Sequence, residues 1–174
     1  WMKALLDLPE GHAQALLTIL ACIPAGLDWA LTGSCGLRLQ GVDVPVHDLD
    51  IQSNPAGVDE IARLLSGNIQ AIPQWREGNQ FRSHYGRLIL AGIQVELMGD
   101  IQHHMPDGSW SPVASIPAIR LWLTWRGFQV PVLDLTYEAQ AYEELGRTGK
   151  AALIHAAVTR GKLTPPLYNH NSIK

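Results

Sequence analysis

Apolar positions recur at helical spacing over residues 7–22, where Leu8, Ala13, Leu16, Leu17 and Leu20 lie near one face, and Pro24 and Gly26 stop the run. Residues 28–32 form a short apolar run that fits a buried strand, broken by Gly33-Ser34. Residues 34–40 have the length of a short helix, with Ser34 at its cap and Gly41 beyond its end. Residues 42–46, with Pro45, predict a loop, and residues 47–52 alternate with a period of two, as a strand does. A turn through Ser53, Asn54, Pro55 and Gly57 leads to a helix over 58–65, with Ile61, Leu64 and Leu65 on one face. Beyond Gly67 the pattern turns to strands: a weak one over 72–76, a long one over 80–90, a hairpin turn at Ala91-Gly92 and a partner strand over 93–98. Residues 100–111 read as a loop, 115–124 fit strand or helix, and 130–133 look extended. Helices follow over 135–145 and 150–160, and the last dozen residues look frayed. Helices at both ends of a strand-rich middle predict an α/β (α+β) fold, a small mixed sheet flanked by helices. The expectation is one domain over 1–174, with a core at about 28–100 and a helical C-terminal extension at about 115–165.

Composition narrows this. A hydrophobic fraction of 47% and a charged fraction of 17% exclude a disordered chain. The longest apolar run, residues 13–25, is shorter than a membrane span needs, and it lacks the basic leader of a signal peptide. Two cysteines, Cys22 and Cys35, make no disulfide framework, which points to a reducing compartment and the cytoplasm. The net charge is −3, so there is no basic excess of the kind a nucleic-acid coater carries. The charge is nevertheless uneven. Glu144 is the last acidic side chain, and Arg147, Lys150, Arg160, Lys162 and Lys174 follow it. That tail is either a solvated helix face or a local anchor for a small polyanion such as a triphosphate.

Three carboxylates carry the candidate chemistry: Asp48, Asp50 and Glu96. Side chains alternate along a strand, so Asp48 and Asp50 point one way while Leu49 and Ile51 point into a core. On the later strand Gln94, Glu96 and Met98 share a face opposite Val95 and Leu97. If the two strands are neighbours with their apolar sides buried together, Glu96 falls beside the aspartates. Carboxylates that close repel one another unless a cation sits among them, and an all-oxygen set suits Mg²⁺ or Mn²⁺. The alternative is that these are ordinary strand-start and solvent-facing residues. Gly33-Ser34 shifts the balance, because a strand that opens directly into a helix through Gly-Ser offers backbone N–H groups and a hydroxyl to phosphate.

The order Leu31-Thr32-Gly33-Ser34, a spacer, Asp48-Leu49-Asp50-Ile51, then Val95-Glu96-Leu97 resembles the nucleotidyltransferase superfamily typified by DNA polymerase beta. The text around His47-Asp48-Leu49-Asp50-Ile51 is most similar to small bacterial members such as the aminoglycoside and lincosamide nucleotidyltransferases. The resemblance implies that Asp48, Asp50 and Glu96 are catalytic and bind Mg²⁺ (or Mn²⁺), and that Gly33 and Ser34 hold the phosphates of an NTP such as ATP. It also makes Lys150 a candidate triphosphate ligand. The implied reaction is transfer of a nucleoside monophosphate from the NTP to an acceptor hydroxyl. A small hydroxylated molecule, a protein side chain and a nucleic-acid end are all open as acceptor, and the missing basic excess favours a small molecule over nucleic acid. Glu stands here where many members have Asp, one methylene longer. Two rivals come from other classes: a catalytically silent nucleotide-binding or antitoxin-like module on the same fold, and a metal phosphohydrolase, which would bring histidine ligands.

Other residues have structural readings beside functional ones. By parity with Leu49 and Ile51, His47 faces the core at the strand start. Arg82 and His84 share one face of the long strand, and Ser83, Tyr85 and Arg87 the other; either set lines a groove or a solvated face. His103-His104 read as part of a surface loop, and Trp122 and Trp125 at i, i+3 as core.

Overall fold

The computed structural model describes residues 6–163. The expectations for residues 164–174, Lys174 among them, and for the Lys162 side chain fall outside what it describes. Helix α1 spans Glu10–Cys22 and starts three residues later than the pattern predicts, because Pro9 stands at its N-cap. Strand β1 (Trp29–Thr32), all four residues buried, leads straight into helix α2 (Gly33–Leu39). Strand β2 (Leu49–Ser53) is followed by helix α3 (Pro55–Leu64), whose start is fixed by the Asn54 side chain accepting from the Gly57 N–H at 2.7 Å. Then come β3 (Ile69–Glu77), β4 (Phe81–Leu90), β5 (Ile93–His103), a one-turn α4 (Ile116–Ile119), β6 (Arg120–Trp125), β7 (Phe128–Leu133), α5 (Leu135–Glu144) and α6 (Thr148–Leu163).

The strands form one seven-stranded mixed sheet in the order β3-β4-β5-β2-β1-β7-β6. The β2–β5 and β1–β7 pairs are parallel and the rest antiparallel. The apolar side chains of the central strands, among them Leu49, Ile51, Val95 and Leu97, pack with Leu16 and Ile19 of α1 and Val58 and Ile61 of α3 in the main core. A second cluster joins Leu37 of α2 and Val42 and Val44 to Ala139 and Tyr142 of α5 and Ala151 and Ile154 of α6. That cluster seats the two C-terminal helices beside α2, so α5 reaches the sheet face that carries the polar side chains.

Several expectations are corrected. The strand β5 runs five residues past Met98, so His103 ends a strand instead of lying in a loop; it is buried and its imidazole N–H donates to Glu144 of α5. His104 stays exposed, bridged to Trp110. The segment at 115–124 is chiefly strand, and in a strand residues three apart face opposite sides. Trp125 is therefore buried and Trp122 exposed. Strand β2 begins at Leu49, so parity does not extend to His47, which is exposed and serves through its backbone: its carbonyl accepts from His12 Nε2 at 2.5 Å. Strand β3 is an edge strand with Pro73 and two register shifts, and its mostly exposed residues mask the alternation that would have shown its full length.

Candidate active site

Parallel pairing of β2 with β5 sets Asp50 beside Glu96, Leu49 beside Val95 and Ile51 beside Leu97. The apolar partners face the core, so both acids stand on the other face, as their parity predicts. Asp48 lies just before β2. The Gln94 side-chain amide donates to Asp48 Oδ2 at 3.2 Å and to Glu96 Oε1 at 3.3 Å. Tyr85 of β4 donates its phenol to the same Glu96 oxygen at 2.8 Å. Burial and this bond together push the Tyr85 phenol up to about 12, so it stays a donor.

The electrostatics of Asp50 are those of a crowded carboxylate. Burial pushes its carboxyl up to about 7, and the charges of Glu96 and Asp48 add to the rise. Among the described residues no three carboxylate, imidazole or thiol groups form a ready-made cage for a metal ion. The donor set still fits a hard divalent cation. All three acids supply oxygen, and the Gln94 N–H₂ group donates to two of them, Asp48 and Glu96.

On the neighbouring strand Thr32 pairs with Asp50. Gly33 follows with φ +63, and a Cβ added there would come within 2.3 Å of Asp50 Oδ2, so only glycine allows the turn to close over the aspartate. Ser34 is a residue inside α2 and not its cap. It is buried, and its oxygen accepts the His47 N–H at 3.3 Å, which leaves the hydroxyl proton to donate. The Gly33 N–H is already engaged: it donates to Glu138 Oε1 of α5 at 3.2 Å, and the Thr32 hydroxyl donates to the same oxygen at 2.5 Å. Glu138 is buried. Its carboxyl rises to about 7 through burial, opposed by these two bonds and by the charge of Lys150.

Lys150 lies in the first turn of α6, its ammonium 4.8 Å from the centre of the Tyr142 ring. Burial and Arg147 lower its pKa, while Glu138 and Asp50 oppose the shift, so its charge is felt at the carboxylates. Cys35 is buried beside them, its thiol donating to the Asp48 carbonyl at 3.4 Å. Burial pushes that thiol up to about 12, which makes it a neutral packing group.

A cavity of about 390 Å³ opens between the sheet and α5. Asp50, Glu96 and Glu138 are among the residues that line it, together with Phe81, Tyr85, Met98, Tyr137, Tyr142 and Arg147. Gly33, Ser34 and Asp48 lie outside the lining. Of the two faces of β4, the one with Ser83 and Tyr85 faces this cavity. Arg82 and His84 are tied elsewhere, Arg82 to Gln102 at 2.9 Å and His84 to Asp59 at 2.7 Å. Glu138 was absent from the residues singled out by sequence. Its signal was present, because Leu135, Glu138, Ala139 and Tyr142 occupy positions i, i+3, i+4 and i+7, which puts an acid inside an apolar stripe.

Asp48 just before one strand, Asp50 on it, a glutamate in register on the next strand and a Gly-Ser turn packed against Asp50 sit together on a mixed sheet of the nucleotidyltransferase type. The chain belongs to the aminoglycoside-2''-adenylyltransferase family, whose model matches residues 15–156, and it is an enzyme of the nucleotidyltransferase class. A Thermotoga maritima protein of known structure, provisionally assigned as a nucleotidyltransferase, is 34% identical and superposes with a TM-score of 0.76 over 88% of this chain and 96% of that one. The lincomycin-bound lincosamide antibiotic adenylyltransferase LnuA shares the fold at 10% identity, with a TM-score of 0.50 over 85% of this chain and 99% of its own. No curated protein matches. Among the described residues no helix is long and apolar enough to cross a membrane.

Proposed function

We propose that this enzyme transfers a nucleoside monophosphate, from ATP or another NTP, to a hydroxyl of a small, antibiotic-like molecule. The observation that carries the reading is the register of Asp50 with Glu96 under a turn that only Gly33 can make. Asp48, Asp50 and Glu96 would hold Mg²⁺ or Mn²⁺. The ion, when bound, neutralises charge on the phosphates and favours the ionised acceptor oxygen. Ser34 would donate its hydroxyl to the phosphates, and Lys150 would supply a positive charge on the α6 side.

The acceptor would enter the cavity on the Glu96 side, with the sheet below and α5 above it, so one domain supplies both halves of the site. Its hydroxyl oxygen attacks the α-phosphorus of the NTP. A new P–O bond forms to the acceptor, the bond from the α-phosphorus to the bridging oxygen breaks, and pyrophosphate leaves. Glu96, held by Tyr85 and Gln94, takes the hydroxyl proton. The rest of the work is positioning and electrostatics, as in other phosphoryl transfers.

Binding tests this first. Millimolar Mn²⁺ at about ten times its Kd would add about 1.4 kcal/mol, or roughly 3–5 °C in Tm for a chain of this size. With Mn²⁺ present, ATP should bind about tenfold or more tighter than AMP, since the extra phosphates gain charge-assisted hydrogen bonds. Equal affinity for the two nucleotides, or a Tm that ignores the metal, would remove the phosphate and metal assignments.

A further inference from the structure

We propose that Glu138 is a positioning residue for the catalytic turn: one oxygen of its carboxylate clamps Thr32 and Gly33 so that the turn stays closed over Asp50. The importance given to that turn rests on the function proposed above. The clamp itself is visible in the geometry.

Helix α2 begins without the usual local cap. Thr32 occupies its N-cap position, yet the Thr32 hydroxyl makes no capping bond to α2. It donates instead to Glu138 Oε1, and the first amide of the helix, that of Gly33, donates to the same atom. The residue supplying this cap comes 105 positions later in the chain, from α5. A carboxylate buried in an apolar helix face is costly unless it is hydrogen-bonded, and these two donors are what the carboxylate is bonded to. With both bonds made, Gly33 is held at φ +63 directly against Asp50. The amide of Gly33 is thus spent on an internal anion, which leaves the Ser34 hydroxyl to meet the nucleotide. In this way α5, which also forms a wall of the cavity, is coupled to the aspartate that carries the chemistry.

A clamp needs a hydrogen-bond acceptor, whereas a metal ligand or proton carrier needs a carboxylate. Because both donors meet a single oxygen, the amide oxygen of glutamine can accept both, and alanine can accept neither. The experiment compares Glu138→Gln, Glu138→Ala and Thr32→Val with the parent protein. The first readout is amide hydrogen exchange at Gly33 by NMR, and the second is affinity for ATP and AMP with Mn²⁺. In Glu138→Ala, Gly33 exchange should rise about tenfold or more, and ATP affinity should fall by a similar factor with AMP affinity little changed. Glu138→Gln should restore both to within about threefold, and Thr32→Val, which removes one of the two bonds, should lie between.

Unchanged Gly33 exchange in Glu138→Ala overturns the clamp. So does a Glu138→Gln as damaging as Glu138→Ala, since charge and not acceptance would then be what matters. Should Glu138→Ala fail to fold, Thr32→Val and Glu138→Gln decide the question by the same exchange measurement. If the parent protein binds no ATP, the proposed function fails, but Gly33 exchange still decides the role of Glu138.

Discussion

Asp50→Asn is expected to lower nucleotidyl transfer on the order of 10³-fold, the scale of losing a principal electrostatic group at a phosphoryl-transfer centre. The same change should stabilise the metal-free protein at neutral and alkaline pH. Both effects have one cause. The Asp50 carboxyl is raised from 3.8 to about 7, by burial first and then by Glu96 and Asp48, so ionising it in the fold is unfavourable. For a carboxyl whose folded pKa lies above its unfolded one, stability is highest below the unfolded value. It then falls as pH rises, until the folded value is passed. The metal-free protein should therefore lose stability between about pH 4 and pH 7, by an amount on the order of a few kcal/mol. The asparagine side chain cannot ionise, so the variant should show a shallower loss, with Glu138, itself raised to about 7, supplying what remains. Mn²⁺ should raise the Tm of the parent protein most above about pH 7, where Asp50 is ionised, and leave Asp50→Asn nearly unmoved. Thermal melts across pH, with and without metal, check this. A metal-free variant less stable than the parent under alkaline conditions would show that the crowding of Asp50 is not a cost.

Gly33→Ala should be nearly as damaging, for a geometric reason. A single methyl group there would lie 2.3 Å from Asp50 Oδ2, and the backbone would have to keep φ +63 with a side chain attached. The backbone term alone costs about 1–2 kcal/mol. The larger effect is on the chemistry, because either Asp50 or the turn must move, and a displacement of about 1 Å at a reacting centre can cost on the order of 10²-fold in rate. The expected result is a folded protein with a slightly lower Tm and at least that loss of activity. Alanine already makes the collision, so a larger residue is not needed to see it. Full activity in Gly33→Ala would mean that the turn does not have to sit against Asp50.

These two residues were legible in the sequence because their signals are local. Alternation with a period of two in Leu49-Asp50-Ile51-Gln52 and in Gln94-Val95-Glu96-Leu97 separates an acid face from an apolar face. The apolar faces can be buried together only if the acids fall on one side, and the observed register puts Asp50 and Glu96 side by side. The glycine before Ser34 marks a turn for the same kind of local reason. Glu138 was legible only as an acid in an apolar stripe, since nothing in α5 states which strand end its face will meet. The seating of α5 and α6 beside α2 is set by packing among Leu37, Tyr142 and Ile154, residues far apart in the chain. The edge strands were the least legible part of the fold. Ile72, Trp75 and Trp122 are exposed there, so burial does not impose a clean alternation on β3 or β6.

The central claim is transfer with Glu96 as the proton acceptor, and acceptor-dependent pyrophosphate release tests it most directly. The assay uses ATP labelled at the α-phosphate, Mg²⁺ and a pool of small hydroxylated compounds, antibiotic-like molecules among them, with the parent protein and Glu96→Gln side by side. The account predicts pyrophosphate release that requires an acceptor, and the label transferred to that acceptor. In Glu96→Gln it predicts a rate lower by about 10²-fold or more, with ATP affinity largely kept. Equal rates in the two proteins would contradict the role of Glu96. A parent protein that binds ATP and metal yet releases no pyrophosphate with any acceptor would contradict transfer itself and leave a nucleotide-binding module in its place.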